Sequence, residues 1–444
     1  MRVSVLRAFK FCTWLIALYC LRYTLVQFSG KLDLEHDLKQ QLDFAIAGHT
    51  RQILRHLVIH QVAGPKAAIE KIRETQMRLA CYINRGVWSV EGRKTMRYRH
   101  DSRGCLGRHW PSLEDLDLLQ VTSLFCNRMR GKRVLLVGPR AFYHAQTLLL
   151  QALATHDNKS YPSRSPESGS HYFICGDSGN AVEPSTVLPF NPRNASSRHP
   201  SALNNSTRLL FSLSDVLTPQ DRMSPLPIIN PKTGIRTYAS NWLADSSKYQ
   251  VLILNKGPMS APASTYDGHT GNWSFVQAIP QELYHGFQTS NLTLRVINAA
   301  FHTVLQEYIP DLLQALKALP PSYKVQRIFT GPWYQQPICT NAGLDSSYRV
   351  ADLIWANTSL VDPWSLYYNT QVYIIDQILP VILPHFNVIY APMTMSLAPS
   401  TLRSGHLEQP GIRKDCLRLP SSHPVGHALQ MGFIKVLVYI IQHH

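Results

Sequence analysis

A turn from strand to helix in the first third of the chain has the sequence surroundings of a catalytic nucleophile, but no nucleophilic side chain stands in it. Val134–Val137 is a short, β-branched apolar run, which predicts a buried strand. Gly138, Pro139 and Arg140 follow, and helical spacing begins at Ala141. α/β hydrolytic folds present a serine on such a turn. Arginine stays protonated and is no nucleophile, so the frame for that chemistry is present and the nucleophile is missing.

The rest of the chain supplies the elements that would position this turn. Four more short apolar runs predict strands at Arg208–Phe211, Gln250–Leu254, Val325–Phe329 and Val388–Tyr390. Longer stretches predict helices at Thr293–Leu319 (broken or kinked near Pro310), Leu366–Leu383 and Val425–Ile441. Because strands alternate with long helices, the sequence predicts an α/β fold built on a parallel sheet.

One N-terminal segment has the length and apolarity of a membrane anchor. Phe11–Phe28 is interrupted only by Arg22 and Gln27, and as a helix it would span about 27 Å. Basic residues precede it, which favours a cytoplasmic N-terminus and a luminal remainder. A cleaved signal peptide with its apolar core at Phe11–Leu21 is the alternative, although no small-x-small cleavage site follows that core. Val425–Ile441 is shorter than a span and is expected to face the core.

Glycosylation signals and cysteines agree with a secretory location. Six cysteines follow the anchor, an even number that suits disulfides in an oxidising compartment and permits 15 pairings. Their spacing fits no zinc pattern, and no metal is expected. Seven Asn-x-Ser/Thr sequons also occur, at Asn158, Asn194, Asn204, Asn205, Asn272, Asn291 and Asn357. We therefore expect a single-pass type II protein of the Golgi or ER membrane, with its bulk in the lumen.

The charge of the chain points to anionic partners. The formal net charge is +16 at pH 7, which suits an acidic polysaccharide or an anionic membrane surface. The basic residues are scattered, with no run of five or more, and this argues against nucleic-acid binding.

Composition and spacing divide the chain into four parts. Residues 1–30 form the cytoplasmic tail and signal-anchor, and residues 31–80 form a helical stem. Residues 81–130 form a cysteine-bearing subdomain, in which Ser112–Asp115 resembles a capping box and Gly131 is a helix stop. Residues 131–444 form the α/β domain, with a loop insertion at 160–206 that is rich in Ser, Pro, Asn and Gly.

With these landmarks placed, the chain resembles the trichome birefringence-like / PC-esterase family, in the manner of a divergent fungal member. These are single-anchor, SGNH-related proteins, and characterised members O-acetylate cell-wall polysaccharides. The resemblance rests on the order and spacing of several blocks between Cys81 and Cys416. They are Cys81–Trp88, Trp110–Pro111, Gly131–Arg140, Val251–Gly257, Ile328–Cys339 and Arg413–Cys416.

The resemblance implies an SGNH/flavodoxin-like parallel sheet flanked by helices and assigns roles to single positions. The nucleophile position of the family's Gly-Asp-Ser is occupied here by Arg140, after Gly138. Asp415 stands at the position of the catalytic acid, whereas Arg418 occupies that of the base. Asn255 and Gly257 stand in the block that supplies the oxyanion asparagine, although Asn255 suits a turn at the end of a strand equally well. The family also implies a disulfide between the Cys339 and Cys416 blocks.

Three other residues are candidates to replace the missing serine and histidine. Ser178 belongs to a literal Gly-Asp-Ser after the apolar run Tyr172–Cys175, but no helical pattern follows it, so a simple turn is the favoured interpretation. His423 and His427 lie just beyond Arg418 and are favoured as ordinary surface or helix-start residues.

Three functions follow from these observations. The first is a polysaccharide O-acetyltransferase or acyl-esterase that has become catalytically degenerate, because serine chemistry needs both the hydroxyl and its base. The second is a non-catalytic glycan-binding protein on the same frame. The third is a glycosyltransferase, which would use Asp115 and Asp117 as a metal motif, although a predicted helix would point them to different faces. No cofactor is expected, apart from an acyl donor such as acetyl-CoA if the protein is catalytic.

Overall fold

A computed structural model of the chain describes residues 39–58, 65–84, 86–91, 95–100, 116–158, 160–161, 166, 171–176, 206–218, 227–231, 235–261, 292–320, 325–334, 363–393 and 424–443. The chain divides into two compact units, Met1–His56 and Leu57–His444. Among the described helices, none combines the length and apolar character that a membrane span requires. The predicted anchor Phe11–Phe28 lies outside the described residues.

Ten strands are described, and six of them form the main sheet. They are β1 (Gly86–Glu91), β2 (Thr95–His100), β3 (Arg133–Gly138), β4 (His171–Ile174), β5 (Thr207–Leu213), β6 (Ile228–Ile229), β7 (Arg236–Thr237), β8 (Val251–Leu254), β9 (Gln326–Thr330) and β10 (Ile389–Ala391). β1 pairs with β2, and β6 with β7, as two-stranded antiparallel ribbons.

The helices that the structure describes are α1 (39–58), α2 (Lys66–Asn84), α3 (Leu118–Met129), α4 (Tyr143–Asp157), α5 (Trp242–Ser246), α6 (Leu292–Thr303), α7 (Ile309–Ala318), α8 (Pro363–Ile382) and α9 (Pro424–His443). A short 3₁₀ turn, Arg140–Phe142, leads into α4, and another, Leu383–Phe386, follows α8.

The order of the main sheet is β10-β9-β8-β3-β5-β4. All neighbours are parallel except β4, which runs antiparallel to β5 at one edge. The parallel strands, renumbered along the chain, therefore have the order 2-1-3-4-5. The predicted α/β class is confirmed, and the five predicted strands lie within a residue or two of β3, β5, β8, β9 and β10.

β8 and β10, and β3 after Arg133, are buried on both faces, which explains why they are continuous apolar runs. β4 and β5 instead alternate between buried and more exposed residues. Val134 and Leu136 of β3 face a core that includes side chains of α2, α3, α4 and α9. Leu135 and Val137, which alternate with them, are also about 1% exposed or less and point to the opposite face. α9 has side chains such as Leu437 in the same core, so the prediction of a core-facing terminal helix is confirmed.

The beginning of α3 differs from the prediction. Asp117, rather than Ser112, is the N-cap: its carboxylate accepts from the Gln120 backbone N–H at 2.8 Å. The Gln120 side chain accepts from the Asp117 backbone N–H at 3.0 Å, which completes a capping box. Asp117 is thus used by the helix end, whereas residues 112–115 lie outside the described residues. Gly131 has a φ of 69°, as expected for a residue that stops a helix.

The predicted helix Thr293–Leu319 is interrupted, as expected, but the break is a π turn. α6 ends at Thr303, Val304–Tyr308 form one turn of π-helix, and α7 continues from Ile309. Pro310 lies in the first turn of α7, directly after the π turn.

The predicted stem, residues 31–80, is helical where it is described, but its second helix is part of the α/β unit. In α2, Ile72, Leu79 and Ile83 lie in the hydrophobic core. Gln76 covers the edge strand β10: its Oε1 accepts from the Tyr390 backbone N–H at 2.9 Å. α2 thus packs against the α/β unit and covers the exposed edge of its sheet.

One disulfide is described with both partners, between Cys126 of α3 and Cys175 after β4. Cys81 of α2 is also disulfide-bonded. The predicted partners Cys339 and Cys416 lie outside the described residues. Of the sequon asparagines, Asn158 is described; it is exposed and ends α4 in the left-handed conformation, with a φ of 48°.

Candidate functional site

The carboxyl ends of the parallel strands form the edge where a ligand is expected. From β3 the chain crosses to β5 on one side, and the later strands β8, β9 and β10 lie on the other side. β3 and β8 are therefore the neighbouring strands from which the connections diverge. In open α/β sheets, ligands bind in the crevice at this switch point. The residues that follow β3 and β8 are the ones predicted from the sequence as pocket residues.

The turn after β3 keeps a tight geometry. Gly138 ends the strand, and Pro139 precedes the 3₁₀ turn, where its carbonyl accepts from the Phe142 N–H at 2.9 Å. A Cβ on Gly138 would lie 2.7 Å from the Phe142 ring and 3.1 Å from the Asn255 carbonyl oxygen. Glycine is thus required here by close packing. Arg140 is half-buried and begins the turn, at the position expected for a nucleophile.

The turn after β8 packs against the turn after β3. The Asn255 N–H donates to the Val137 carbonyl at 2.8 Å, which extends the pairing of the two strands by one residue. A Cβ on Gly257 would lie 3.3 Å from the Pro139 ring. The predicted pocket residues Gly138, Asn255 and Gly257 are thus brought together at one edge.

The side chain of Asn255 is directed to the neighbouring strand. Its Nδ2 lies 2.9 Å from the Thr330 carbonyl oxygen, 3.2 Å from Thr330 Oγ1 and 3.1 Å from the Gly331 carbonyl oxygen. The residue is 2% exposed. An amide nitrogen has two hydrogens, and three protein acceptors surround this one. Asn255 therefore fastens β8 to the end of β9.

A buried ion pair lies directly beyond Asn255. The side chain of Lys256 is 1% exposed, and its Nζ forms a salt bridge with Asp311 of α7. The Lys256 Nζ also lies 5.0 Å from the ring centroid of Tyr308, whose hydroxyl donates to the Lys256 carbonyl at 2.9 Å. Thr218 donates a further hydrogen bond to Asp311. Burial lowers the pKa of the Lys256 ammonium, and Asp311 opposes that shift.

Asp215, after β5, adds a second carboxylate to this edge. It accepts from the Tyr238 N–H at 2.6 Å, and its own N–H donates to the Tyr238 carbonyl at 2.8 Å. Burial raises the pKa of Asp215 to about 6, while the Tyr238 N–H and the charges of Arg140 and Lys256 oppose the rise. Both cations therefore act on Asp215, which changes charge in a mildly acidic range.

A third polar cluster lies beyond β9 and β10. Tyr334 and Tyr390 both donate hydrogen bonds to Asp376 of α8, the first at 3.0 Å. Burial raises the pKa of Asp376 to about 7, and the two hydroxyl donors oppose the rise. A Cβ on Gly331 would lie 2.5 Å from the Tyr390 hydroxyl, so this glycine makes room for the cluster.

Several predicted site residues lie outside the described part of the chain: Ser178, Asp415, Arg418 and His423. His427 falls within α9. β4, the strand that precedes Ser178, runs antiparallel to β5, and its last residue, Ile174, pairs with Thr207 at the start of β5. β4 therefore ends beside the amino ends of the parallel strands, whereas Arg140 lies at their carboxyl ends.

Sequence reasoning missed the charged residues of this edge. Asp215 and Lys256 each follow a predicted strand within a few residues, and that position could have identified them. Asp376 is the one charged residue of the apolar helix α8, which is also a recognisable signal. Asp311 had no comparable signal, because it reaches Lys256 only through the packing of α7.

No protein-family model matches the chain, and no curated protein matches its sequence. Function is therefore inferred from the site itself.

Proposed function

We propose that the protein is a non-catalytic glycan-binding member of the SGNH-type esterase fold, held in the secretory membrane, with an acidic saccharide as its ligand. The observation that carries the proposal is Arg140, which occupies the first position after the β3 turn, at the switch point of the sheet. An arginine here binds anions and does not attack esters. The strand order 2-1-3-4-5 supports the finer assignment of the fold.

The surroundings of Asn255 support a loss of catalysis. A hydrolytic site of this kind needs preorganised donors aimed at the developing oxyanion. The Asn255 amide instead donates to Thr330 and Gly331. A group engaged in this way holds the sheet edge together, and it is not free to stabilise a transition state. We therefore expect weak or no acyl-transfer or esterase activity.

The charges of the edge support an anionic ligand. Arg140 and Lys256 both act on Asp215, and Lys256 is already paired with Asp311. Asp215 therefore competes with an anionic ligand for the guanidinium of Arg140. A sulfate or uronate group would form a bidentate pair with that guanidinium, close to the beginning of α4, where the helix dipole favours negative charge.

The secretory location is proposed from the apolar segment and the sequons. The disulfide Cys126–Cys175 and the exposed position of Asn158 support it, because both features suit an oxidising, glycosylating compartment.

Binding of a sulfated oligosaccharide to the full-length protein should depend on Arg140. Arg140→Ala is expected to weaken binding by about tenfold or more, since a hydrogen bond to a charged group contributes about 1.5–3 kcal/mol. Arg133→Ala is the matched control, because Arg133 is an exposed arginine at the other end of the same strand. Calorimetric titration of the wild type and of each variant, with the sulfated sugar and with its neutral counterpart, measures these affinities.

Two results would contradict the proposal. One is equal affinity for the sulfated and neutral sugars, unchanged by Arg140→Ala. The other is rapid turnover of an acetylated glycan that Ser178→Ala abolishes, because that would identify an active esterase with a displaced nucleophile.

The same binding should tighten in mild acid. As the pH falls from 8 to 5, Asp215 takes up a proton around its pKa of about 6, and a negative charge that competes for Arg140 is lost. A sulfate ester stays ionised throughout, so affinity should rise by about tenfold, or about 1.4 kcal/mol. Asp215→Asn should bind tightly at every pH. A wild-type affinity that stays constant, or falls with acidification, would show that Asp215 does not compete with the ligand.

A further inference from the structure

A group of metal-binding side chains lies away from the proposed ligand edge, around the disulfide. Cys126 comes from α3, His156 and Asp157 from the end of α4, and Cys175 from the end of β4. One ligand atom of each of Cys126, His156 and Asp157 lies within 4.8 Å of the others. Cys175 is bonded to Cys126, which places its sulfur beside this group. α3, the end of α4 and the residue after β4 thus meet at the disulfide.

The two oxygens of Asp157 have different partners. Oδ2 accepts from the Cys175 N–H at 2.8 Å and from the Tyr161 hydroxyl. Oδ1 lies 2.8 Å from His156 Nδ1. The residue is 2% exposed, so its carboxylate is fixed by these partners rather than by water. Because both donors bind Oδ2, Oδ1 is directed toward the histidine. Metal-binding carboxylates are commonly held by hydrogen-bond partners in this way.

The chemistry of the four side chains depends on the state of the two sulfurs. While they are bonded to each other, they are poor ligands, and His156 and Asp157 share a hydrogen bond. Once reduced, they supply two thiolates, and the set becomes two sulfurs, one imidazole nitrogen and one carboxylate oxygen. Zinc takes four such ligands in tetrahedral sites, with Zn–S near 2.3 Å and Zn–N or Zn–O near about 2.0–2.2 Å.

The backbone permits this change. The Cα atoms of Cys126 and Cys175 are 5.0 Å apart, so the two sulfurs could separate to coordination distance by side-chain rotation alone. His156 and Asp157 are adjacent in the chain, and the atoms that now share a hydrogen bond would instead share the cation. Thiolate and imidazole together favour zinc over the harder ions calcium and magnesium.

We propose that Cys126, His156, Asp157 and Cys175 form a redox-controlled zinc site, closed by the disulfide and opened by a dithiol reductant. In the opening step, the dithiol is oxidised to its own disulfide, and its two hydrogens pass to the two cysteine sulfurs. Zinc then displaces those two protons and binds both thiolates. The disulfide ties α3 to the end of β4 in one state, and the metal would tie both of them to α4 in the other.

This assignment gives the protein a second means of holding that junction. A chain that has not yet been oxidised has no bond between Cys126 and Cys175, and zinc would hold α3 and β4 in register until oxidation releases it. The proposal is independent of the glycan site, which lies at the carboxyl ends of the parallel strands, whereas Cys175 follows β4 at the opposite edge.

Cobalt binding to the full-length protein tests the site, because thiolate-bound tetrahedral cobalt has a characteristic absorption spectrum. The protein is reduced with a phosphine, which becomes a phosphine oxide with oxygen from water and does not compete for metal as a dithiol does. The reduced protein should give the tetrahedral thiolate spectrum and lose it when zinc is added, and the oxidised protein should give neither. His156→Ala should weaken binding by more than about 100-fold, since losing even an outer-shell partner costs about 10–100-fold.

His302→Ala, a histidine change in the last turn of α6, is the matched control and should bind cobalt like the wild type. Each variant is first checked for native circular dichroism in the oxidised state, where the disulfide is intact. Zinc should also protect Cys126 and Cys175 of the reduced wild type from alkylation, measured by mass spectrometry, and this needs no variant. Unprotected cysteines, or cobalt binding that is indifferent to His156→Ala, would overturn the proposal.

Discussion

Asp311→Asn should lower the free energy of unfolding by about 3–5 kcal/mol, the usual cost of removing one partner of a buried ion pair. Lys256 is 1% exposed and forms a salt bridge with Asp311. Without the carboxylate, its charge would remain buried beside the Tyr308 ring, or the amine would have to lose its proton. Denaturant unfolding of the full-length protein, followed by circular dichroism at pH 7, measures the loss.

Two further variants separate the ion pair from general effects on the helix. Glu307→Gln is the matched control: Glu307 also influences the Lys256 charge, but more weakly than Asp311, so we expect a change below about 1 kcal/mol. Replacing both members, as Lys256→Met with Asp311→Leu, should recover most of the stability, because neither charge is then left unpaired. A single Asp311→Asn variant as stable as the wild type would show that the pair contributes nothing.

Asp376→Asn should instead stabilise the protein at neutral and alkaline pH. The pKa of Asp376 is raised from 3.8 to about 7, so the folded state binds its proton more tightly than the unfolded state does. The stability that this proton gives is fully present below about pH 4 and is lost as the pH rises through 7. The shift of about three units corresponds to at most about 4 kcal/mol. At pH 8 the free energy of unfolding of the variant should exceed that of the wild type by up to this amount more than it does at pH 4.

The pH dependence itself is the decisive measurement. As the pH rises from 4 to 8, the free energy of unfolding of the wild type should fall, and that of Asp376→Asn should fall less steeply. Tyr367→Phe is the matched control, because the Tyr367 hydroxyl donates to Thr303 rather than to a carboxylate, and it should keep the wild-type slope. Parallel curves for the wild type and Asp376→Asn would show that burial does not raise the pKa of Asp376.

The sequence predicted most of the sheet because the neighbouring strands β3 and β8 at its centre are buried on both faces. The runs Val134–Val137 and Val251–Leu254 are then continuously apolar and easily recognised. β4 was not predicted as a strand. It has four residues and lies at an edge, and its burial alternates between half-buried and buried, so its pattern carries little signal. The role of α2 was also missed, since the Gln76 contact with Tyr390 joins residues 314 apart.

The candidate site was predictable where it lies on strand ends and unpredictable where it depends on packing. Gly138, Arg140 and Asn255 follow apolar runs, so the carboxyl edge of a parallel sheet was expected to collect them. The direction of the Asn255 side chain depends on where β9 lies, which a sequence pattern does not contain. Asp311 depends on the rotation of α7, and that rotation is set by the π turn that precedes it.

That π turn has a consequence for sequence comparison. Val304–Tyr308 hold one more residue than an α-helix would need, and each residue turns a helix by about 100°. A π turn takes up that extra residue within one wider turn, so the residues after it keep the direction that an uninterrupted α-helix would give them. Deleting a single residue there should therefore leave Asp311 facing Lys256, whereas a deletion between the π turn and Asp311 would turn it away by about 100°. Homologues with a one-residue gap in this segment should therefore keep both members of the buried ion pair.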